Sequence, residues 1–170
     1  MLVPVGVVAQ AAAVASYPFL AELYAKQEWT RFQDTVNRAI RNTVLLLLPL
    51  SLWMVAVAEP TIRLIFQQGL FAAADTVRTA RLLQIFLTVV FCWGVQQVLG
   101  RAFYARQDTV TPAVIGTLTT LVSIPAYYWL TGRLQATGVA LTSAASIALY
   151  TAALTGWWCY RFGGHAFAGI

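Results

Sequence analysis

The chain has 170 residues, of which 59% are hydrophobic and only 10% are charged. An ordinary soluble domain carries about 25% charged residues, so this composition argues against a soluble fold and favours a membrane protein. The net charge of +5 is spread along the chain and forms no dense basic patch, which gives no indication of nucleic-acid binding. Membrane lipids are the simpler partner for these cations.

Long apolar stretches separate the charged residues and predict membrane-spanning helices. A spanning helix needs about 20 apolar residues, and one charge at its centre costs roughly 2.5 to 3.5 kcal/mol. Five windows lack any Asp, Glu, Lys or Arg: 1–21, 42–58, 82–100, 109–132 and 134–160. We therefore predict an all-α, polytopic membrane helix bundle with about five transmembrane helices. The predicted spans are 3–24, 43–58, 78–104, 111–131 and 136–160.

Two further helices are predicted beside the second span. In residues 28–42 the apolar side chains, among them Phe32 and Val36, fall on one helical face and the arginines on the other. This pattern predicts an amphipathic helix at the membrane interface that leads into the second span, with a polar linker as the alternative. Glu59 and Pro60 then predict the start of a short loop helix.

The distribution of Lys and Arg predicts the orientation of the bundle. The loops after spans one and three and the C-terminal tail carry seven Lys and Arg residues, and the loops on the other side carry four. The positive-inside rule places 26–41 and 101–108 in the cytoplasm and the N-terminus outside. Within 101–112, Asp108, Thr109 and Thr111 are candidate N-caps of the fourth span, with Pro112 in its first turn.

Enzymatic chemistry finds little support in the sequence. The single histidine, His165, lies in a glycine-rich tail without a paired carboxylate, and no span holds two acidic residues at helical spacing. Neither a phosphate-binding glycine loop nor a Cys/His metal-binding spacing is present, so no cofactor or metal is expected. The two cysteines, Cys92 and Cys159, are interpreted as small buried apolar residues.

Four segments together resemble the MurJ/MviN family of lipid II flippases, which belongs to the larger superfamily of multidrug and oligosaccharidyl-lipid exporters. The most specific segment, RAFYARQDTVTP (101–112), is similar to the family's FYA-x-x-D-T-x-T-P connector. The other three are LVPVGVVAQAAAVASYPFLAELYA (2–25), PTIRLIFQQGLFAAADTVRTARLL (60–83) and TGVALTSAAS (137–146). Their order and spacing agree with the family, so the resemblance covers nearly the whole chain.

The resemblance implies a function in the bacterial cytoplasmic membrane. Proteins of the family are much longer and form two lobes, so this chain is expected to be a fragment of the second lobe, with Met1 inside a span motif. The expected function is translocation of lipid II, a polyprenyl-pyrophosphate-linked saccharide, by alternating access and without covalent chemistry. The missing N-terminal lobe is the expected protein partner. Because the family's cavity arginines are absent, this chain alone is not expected to transport.

Polar residues within the spans are the candidates for substrate contact. Glutamines at 10, 84, 96 and 97 are costly in lipid, so they are expected to face protein or a wet cavity. Our hypothesis is that Gln10, Gln97 and Arg101 line the cytoplasmic half of the substrate path. The alternative is that they hold helices together or extend to lipid headgroups.

Two other functions stay open from the sequence alone. One is a flippase for another polyprenyl-linked saccharide, which a different set of cavity residues in the first lobe would indicate. The other is a non-transporting membrane scaffold for cell-wall enzymes. Complementation of a flippase-depleted cell by the full gene separates this last function from transport.

Overall fold

The computed structural model describes residues 17–66 and 72–162, and within these ranges every regular element is a helix. A first helix, α1, covers residues 17–25. It is followed by α2 (Trp29–Phe66), α3 (Ala73–Thr88), α4 (Val90–Ala105), α5 (Val110–Leu134) and α6 (Ala136–Phe162). Most of the predicted span 3–24, with Gln10, and the tail with His165 lie outside the described residues.

Four stretches of the described chain are long and apolar enough to cross a membrane. They are α2, the combined stretch Ala73–Ala105, α5 and α6. The predicted all-α membrane bundle is thereby confirmed. The second stretch contains a break at Val89, whose N–H donates a hydrogen bond to the Phe86 carbonyl at 3.2 Å, so that α3 and α4 are separate helices in one span.

The helix α2 corrects the predicted division of residues 28–66 into three elements. It runs without interruption for 38 residues, about 57 Å at 1.5 Å per residue, and contains both Pro49 and Pro60. One stripe of buried side chains continues along the whole helix, and packing along it outweighs the local cost of the prolines. The stripe consists of Phe32, Val36, Ile40, Thr43, Leu47, Ser51, Met54, Ala58 and Ile62.

The apolar face of residues 29–42 packs against other helices of the bundle, and the interfacial position of this segment stays a prediction. Phe32, Val36 and Ile40 belong to a core cluster that also contains Leu99 and Phe103 of α4 and Trp158 of α6. A second cluster near the middle of α2 joins Leu47 and Met54 to Leu87 of α3.

Close approach of α2 and α4 depends on Gly94. A Cβ atom at this position would lie 2.8 Å from Thr43 Cγ2 and would overlap the Leu47 side chain. The hydroxyl of Ser51 also donates a hydrogen bond to the Leu87 carbonyl, which links α2 to α3. In lipid, where apolar surface alone does not drive helices together, small residues and such bonds fix the packing.

A six-residue motif occurs twice, at the ends of α1 and α4. Residues 23–28 are LYAKQE and residues 103–108 are FYARQD. In both copies the glutamine has a positive φ, 56° for Gln27 and 61° for Gln107. The following N–H reaches back five residues, from Glu28 to Leu23 at 3.1 Å and from Asp108 to Phe103 at 3.0 Å. Both helices therefore end in the same Schellman turn.

The two turns lie side by side at one end of the bundle. The Arg106 guanidinium carbon is 5.8 Å from the ring centre of Trp29, the first residue of α2. After the second turn, Asp108 caps α5 as predicted: its carboxylate accepts hydrogen bonds from the Thr111 N–H at 3.0 Å and the Thr111 hydroxyl at 2.8 Å. Pro112 lies buried in the first turn of that helix.

Candidate functional site

The two described candidates for substrate contact, Gln97 and Arg101, lie one turn apart on the same face of α4. Both side chains are partly exposed, and neither makes a hydrogen bond with any described residue. Gln84 differs, because its amide donates to the Val55 carbonyl at 3.2 Å and joins α3 to α2. Gln84 thus has a structural role, whereas the roles of Gln97 and Arg101 stay predictions.

A cavity of about 400 Å³ lies between α5 and α6. Gln96 of α4 contributes to its wall, so the structure brings Gln96 to this site and directs the neighbouring Gln97 about 100° away around the helix. The other lining residues are Gly116, Thr119, Thr120, Ser123, Tyr127, Ser146, Ile147 and Tyr150. Six of these carry hydroxyl groups and none is charged, so the cavity is electrically neutral, with hydroxyl groups set in a mainly apolar wall.

A second cavity of about 570 Å³ continues from the first towards the start of α5. The two share Gly116, Thr120 and Tyr150, and the second also reaches Tyr104 and Thr109. From Thr109 to Tyr127 the lining residues follow α5 for about 27 Å, at 1.5 Å per residue. The hydrocarbon core of a bilayer is about 30 Å thick. We call the two joined cavities the hydroxyl groove.

Three hydroxyl groups of the groove donate hydrogen bonds within α5, the helix that carries them. Thr119, Thr120 and Ser123 donate to the carbonyls four residues earlier, at 2.8, 2.9 and 2.7 Å. A buried hydroxyl that has already donated its proton keeps lone pairs that accept hydrogen bonds. The groove therefore presents acceptors, which suit ligands rich in O–H and N–H donors.

Contacts between α5 and α6 hold the walls of the groove together. The Ser146 hydroxyl oxygen is 2.7 Å from that of Ser123, and the Tyr127 hydroxyl is 2.7 Å from that of Ser143. At the other end the Tyr150 hydroxyl donates to the Pro112 carbonyl at 3.3 Å. These bonds cross between the helices, so a change at any one of them also alters the groove's width.

Beside the mouth of the groove, Asp108 is held ionised. Burial raises the pKa of Asp108, but the two hydrogen bonds from Thr111 and the positive charges of Arg161 and Arg106 outweigh that effect, so the pKa lies below its ordinary value. The Asp108 carboxylate caps the start of α5 and is not available as a general acid. Among residues 17–66 and 72–162, no group of three His, Cys, Asp or Glu is placed to hold a metal ion.

The sequence reasoning missed the hydroxyl groove, although it predicted that Gln96 faces protein or a wet cavity. Threonine and serine are common in membrane helices and carry little signal on their own. The signal that could have identified the groove is the spacing of 116, 119, 120, 123 and 127, which places five small or hydroxyl-bearing residues on one helical face.

Comparison with known proteins gives one consistent family. The family model described as "Lipid II flippase MurJ" matches residues 1–167. A "Probable lipid II flippase MurJ" from Rhizobium meliloti is 28% identical over 137 residues, which are 81% of this chain and 26% of that protein. A protein of the same description from Rickettsia prowazekii is 26% identical over 138 residues, 81% of this chain and 27% of its own.

The fold is also similar to a solved structure. "Lipid II flippase MurJ, inward closed conformation" matches with a TM-score of 0.81 at 19% identity, over 98% of this chain and 36% of that chain. The chain thus spans about a quarter of the length of these curated relatives. Since the family model covers nearly every residue, the chain belongs to the MurJ family of lipid II flippases.

Proposed function

We propose that this chain is part of a flippase that moves lipid II across the bacterial cytoplasmic membrane. The observation that carries the proposal is the hydroxyl groove, an uncharged track of about bilayer length that carries hydroxyl groups, in a chain of this family. A saccharide headgroup with many O–H and N–H donors fits a wall of hydroxyl acceptors. The polyprenyl tail stays in the lipid outside the bundle.

The groove supports transport better than tight binding. A polar lining compensates the headgroup for the loss of water, while the absence of charge on the lining residues keeps each contact weak enough to be exchanged. Alternating access follows when this lobe rocks against the rest of the protein and opens the groove to one side at a time. No bond is made or broken, so the protein acts as a transporter and not as an enzyme.

Gln97 and Arg101 are proposed to contact the headgroup at the cytoplasmic end, together with Gln10. Tyr104, which lies three residues after Arg101 on the same face, lines the groove. This proximity along α4 supports the proposal that the Arg101 guanidinium meets the pyrophosphate as it enters.

The experiment is reconstitution of the full-length protein in liposomes with fluorescent lipid II, together with complementation of flippase-depleted cells. Thr120→Val removes a hydroxyl that lines both cavities, and we expect a severalfold slower flip at normal expression. Thr88→Val is the matched control, because Thr88 bonds the Ile85 carbonyl at 2.6 Å and lies outside the groove.

Equal rates for Thr120→Val and Thr88→Val would contradict the groove as the path. Unchanged flipping in Arg101→Ala would remove Arg101 from the proposed contacts. A protein that restores growth without moving lipid II would act as a scaffold, and one that moves a different polyprenyl-linked saccharide faster would have that substrate instead.

The proposed sidedness is tested with cysteines introduced at the turns. Residues 26–41 and 101–108 are proposed to be cytoplasmic, and the N-terminus to be outside. In a variant lacking Cys92 and Cys159, Gln107→Cys should react only with reagent supplied from the cytoplasm, and Gln135→Cys only with reagent supplied from outside. The reverse pattern would invert the orientation.

A further inference from the structure

Arg106 occupies an unusual position for a loop arginine. Its guanidinium carbon lies 3.8 Å from the ring centre of Phe162, which is a stacking contact, and 5.8 Å from that of Trp29. The side chain is half-buried. Phe162 is itself held by Trp158, with ring centres 4.6 Å apart, and Trp158 is fully buried. The aromatic support of Arg106 is therefore anchored in the core.

The positive charge of Arg106 has no counter-ion among the described residues. No carboxylate forms an ion pair with it, and no hydrogen bond to its guanidinium is made within residues 17–66 and 72–162. Asp108 is close enough to act on Arg106 electrostatically, but its carboxylate oxygens accept bonds from Thr111. A guanidinium stacked through its face keeps its N–H donors free at the edge.

A second cation reinforces this positive region. Burial lowers the pKa of Arg106 from its ordinary value, and the neighbouring charge of Arg161 lowers it further. Arg106 stays charged at neutral pH because arginine titrates far above it. Two cations that share one occupied carboxylate leave a net positive region at this end of the bundle.

An aromatic cavity of about 220 Å³ lies directly under Arg106. It is lined by Trp29, Phe32, Gln33, Arg106 and Phe162, almost entirely through apolar surface. Tryptophan and arginine are typical of the level where the headgroups meet the hydrocarbon core. A cavity with apolar walls and a cation at the rim fits a ligand with an anionic group and an apolar body.

We propose that Arg106, at the rim of this cavity, binds the phosphate of an anionic bilayer phospholipid whose apolar part occupies the cavity. The free edge of the Arg106 guanidinium pairs with the phosphate oxygens, Arg161 adds attraction, and the glycerol and upper acyl carbons lie against Trp29 and Phe162. The site lies at the rim of the bundle and does not depend on the proposed transport of lipid II. It would hold this end of the protein at a fixed depth in the membrane.

The test is native mass spectrometry of the full-length protein with added dioleoyl-phosphatidylglycerol or dioleoyl-phosphatidylcholine. We expect the wild type to retain the anionic lipid preferentially. Arg106→Gln should lower that retention by about fivefold, the order of effect of one basic residue at an anionic surface. Phe162→Leu keeps the charge and removes the stack, and should also lower retention.

Lys26→Gln is the matched control. It removes the same charge from the same motif at the same end of the bundle, but Lys26 is exposed and paired with Glu22 at 2.6 Å. Retention should stay at the wild-type level. Circular dichroism and thermal melting establish that each variant is folded, and Arg106→Lys provides a second variant if Arg106→Gln does not fold.

Three outcomes would overturn the proposal. Equal retention in the wild type and Arg106→Gln would mean that Arg106 does not bind the lipid. Equal losses in Arg106→Gln and Lys26→Gln would reduce the effect to general charge attraction. Displacement of the lipid by millimolar inorganic phosphate would identify a free-anion site.

Discussion

The turns at residues 26–28 and 106–108 share a sequence motif and a backbone conformation, yet their charged side chains have different environments. Lys26 is exposed and pairs with Glu22, and Glu28 pairs with Arg31 at 2.8 Å. In the second turn the arginine is half-buried on Phe162, and Asp108 caps α5. Each charge of the first turn is matched by a neighbour on the chain surface, while Arg106 forms no ion pair with any residue among 17–66 and 72–162.

The difference shows that packing decides what a shared motif does. Exposed ion pairs contribute little to stability, because water already solvates both charges. Arg106 has lost part of its water to the aromatic residues of α2 and α6 without gaining an ion pair with a carboxylate of the described residues. A similar local sequence thus produces a solvated surface pair in one place and a candidate anion site in the other.

The largest expected effect comes from removing the core support of the arginine turn. Trp158 is fully buried against Phe32, Phe103 and Phe162. Trp158→Ala should destabilise the protein by about 3 to 5 kcal/mol, the usual cost of deleting a buried large aromatic side chain. Unfolding in detergent measures this change. Trp157→Ala is the control, because Trp157 is 42% exposed, and an equal loss in both variants would contradict the account.

The second-largest expected difference in stability lies between variants of the acidic residues of the two turns. Asp108→Ala removes the cap of α5 and should cost about 1 kcal/mol. Glu28→Ala removes only an ion pair whose arginine side chain is 76% exposed, so its effect should be smaller. The same unfolding measurement compares them. A larger loss of stability in Glu28→Ala than in Asp108→Ala would show that the motif itself, and not the residues around it, determines the contribution to the free energy of unfolding.

Lowering the pH should also weaken the second turn, through protonation of Asp108. The pKa of Asp108 is lowered in the folded state, so its stabilising contribution is complete above its unfolded pKa and is lost as the pH falls through the folded pKa. Between about pH 5 and pH 3 the wild type should lose more stability than Asp108→Asn, which caps without titrating. Parallel pH profiles would exclude Asp108 as the titrating cap.

The smallest effect should be the same in both turns. Gln27 and Gln107 have φ values of 56° and 61°, a conformation that costs a side-chain-bearing residue roughly 1 kcal/mol relative to glycine. Gln27→Gly and Gln107→Gly should each raise the melting temperature slightly and by similar amounts. Unequal shifts would mean that the two backbones carry different strain.

Much of the fold could be predicted from the sequence, because charge-free windows and capping residues act locally. The cap at Asp108 and the helical nature of every described element are examples. The division of residues 28–66 was wrong, since Pro49 and Pro60 indicate boundaries locally while a continuous stripe of buried side chains, from Phe32 to Ile62, holds one helix together. That stripe has its effect only when α3 and α4 pack against it.

The candidate site was harder to predict, because it depends on how helices face each other. Gln96 and Gln97 are chemically identical neighbours, and only the packing of α4 against α5 and α6 places Gln96 in the hydroxyl groove. The stacking of Arg106 on Phe162, in place of an ion pair within the described part of the chain, is equally absent from the local sequence, where Lys26 has the same adjacent residues. Both differences, between Gln96 and Gln97 and between Arg106 and Lys26, depend on the residues that surround each side chain, which no local sequence pattern encodes.

Exchanging the two cations tests the central comparison most directly. The double variant Lys26→Arg with Arg106→Lys keeps the net charge and a basic residue in each turn, but it removes the planar guanidinium from the aromatic cavity. Native mass spectrometry should show phosphatidylglycerol retention closer to that of Arg106→Gln than to that of the wild type. Retention at the wild-type level would contradict the account, because net charge at this end of the bundle would then be sufficient.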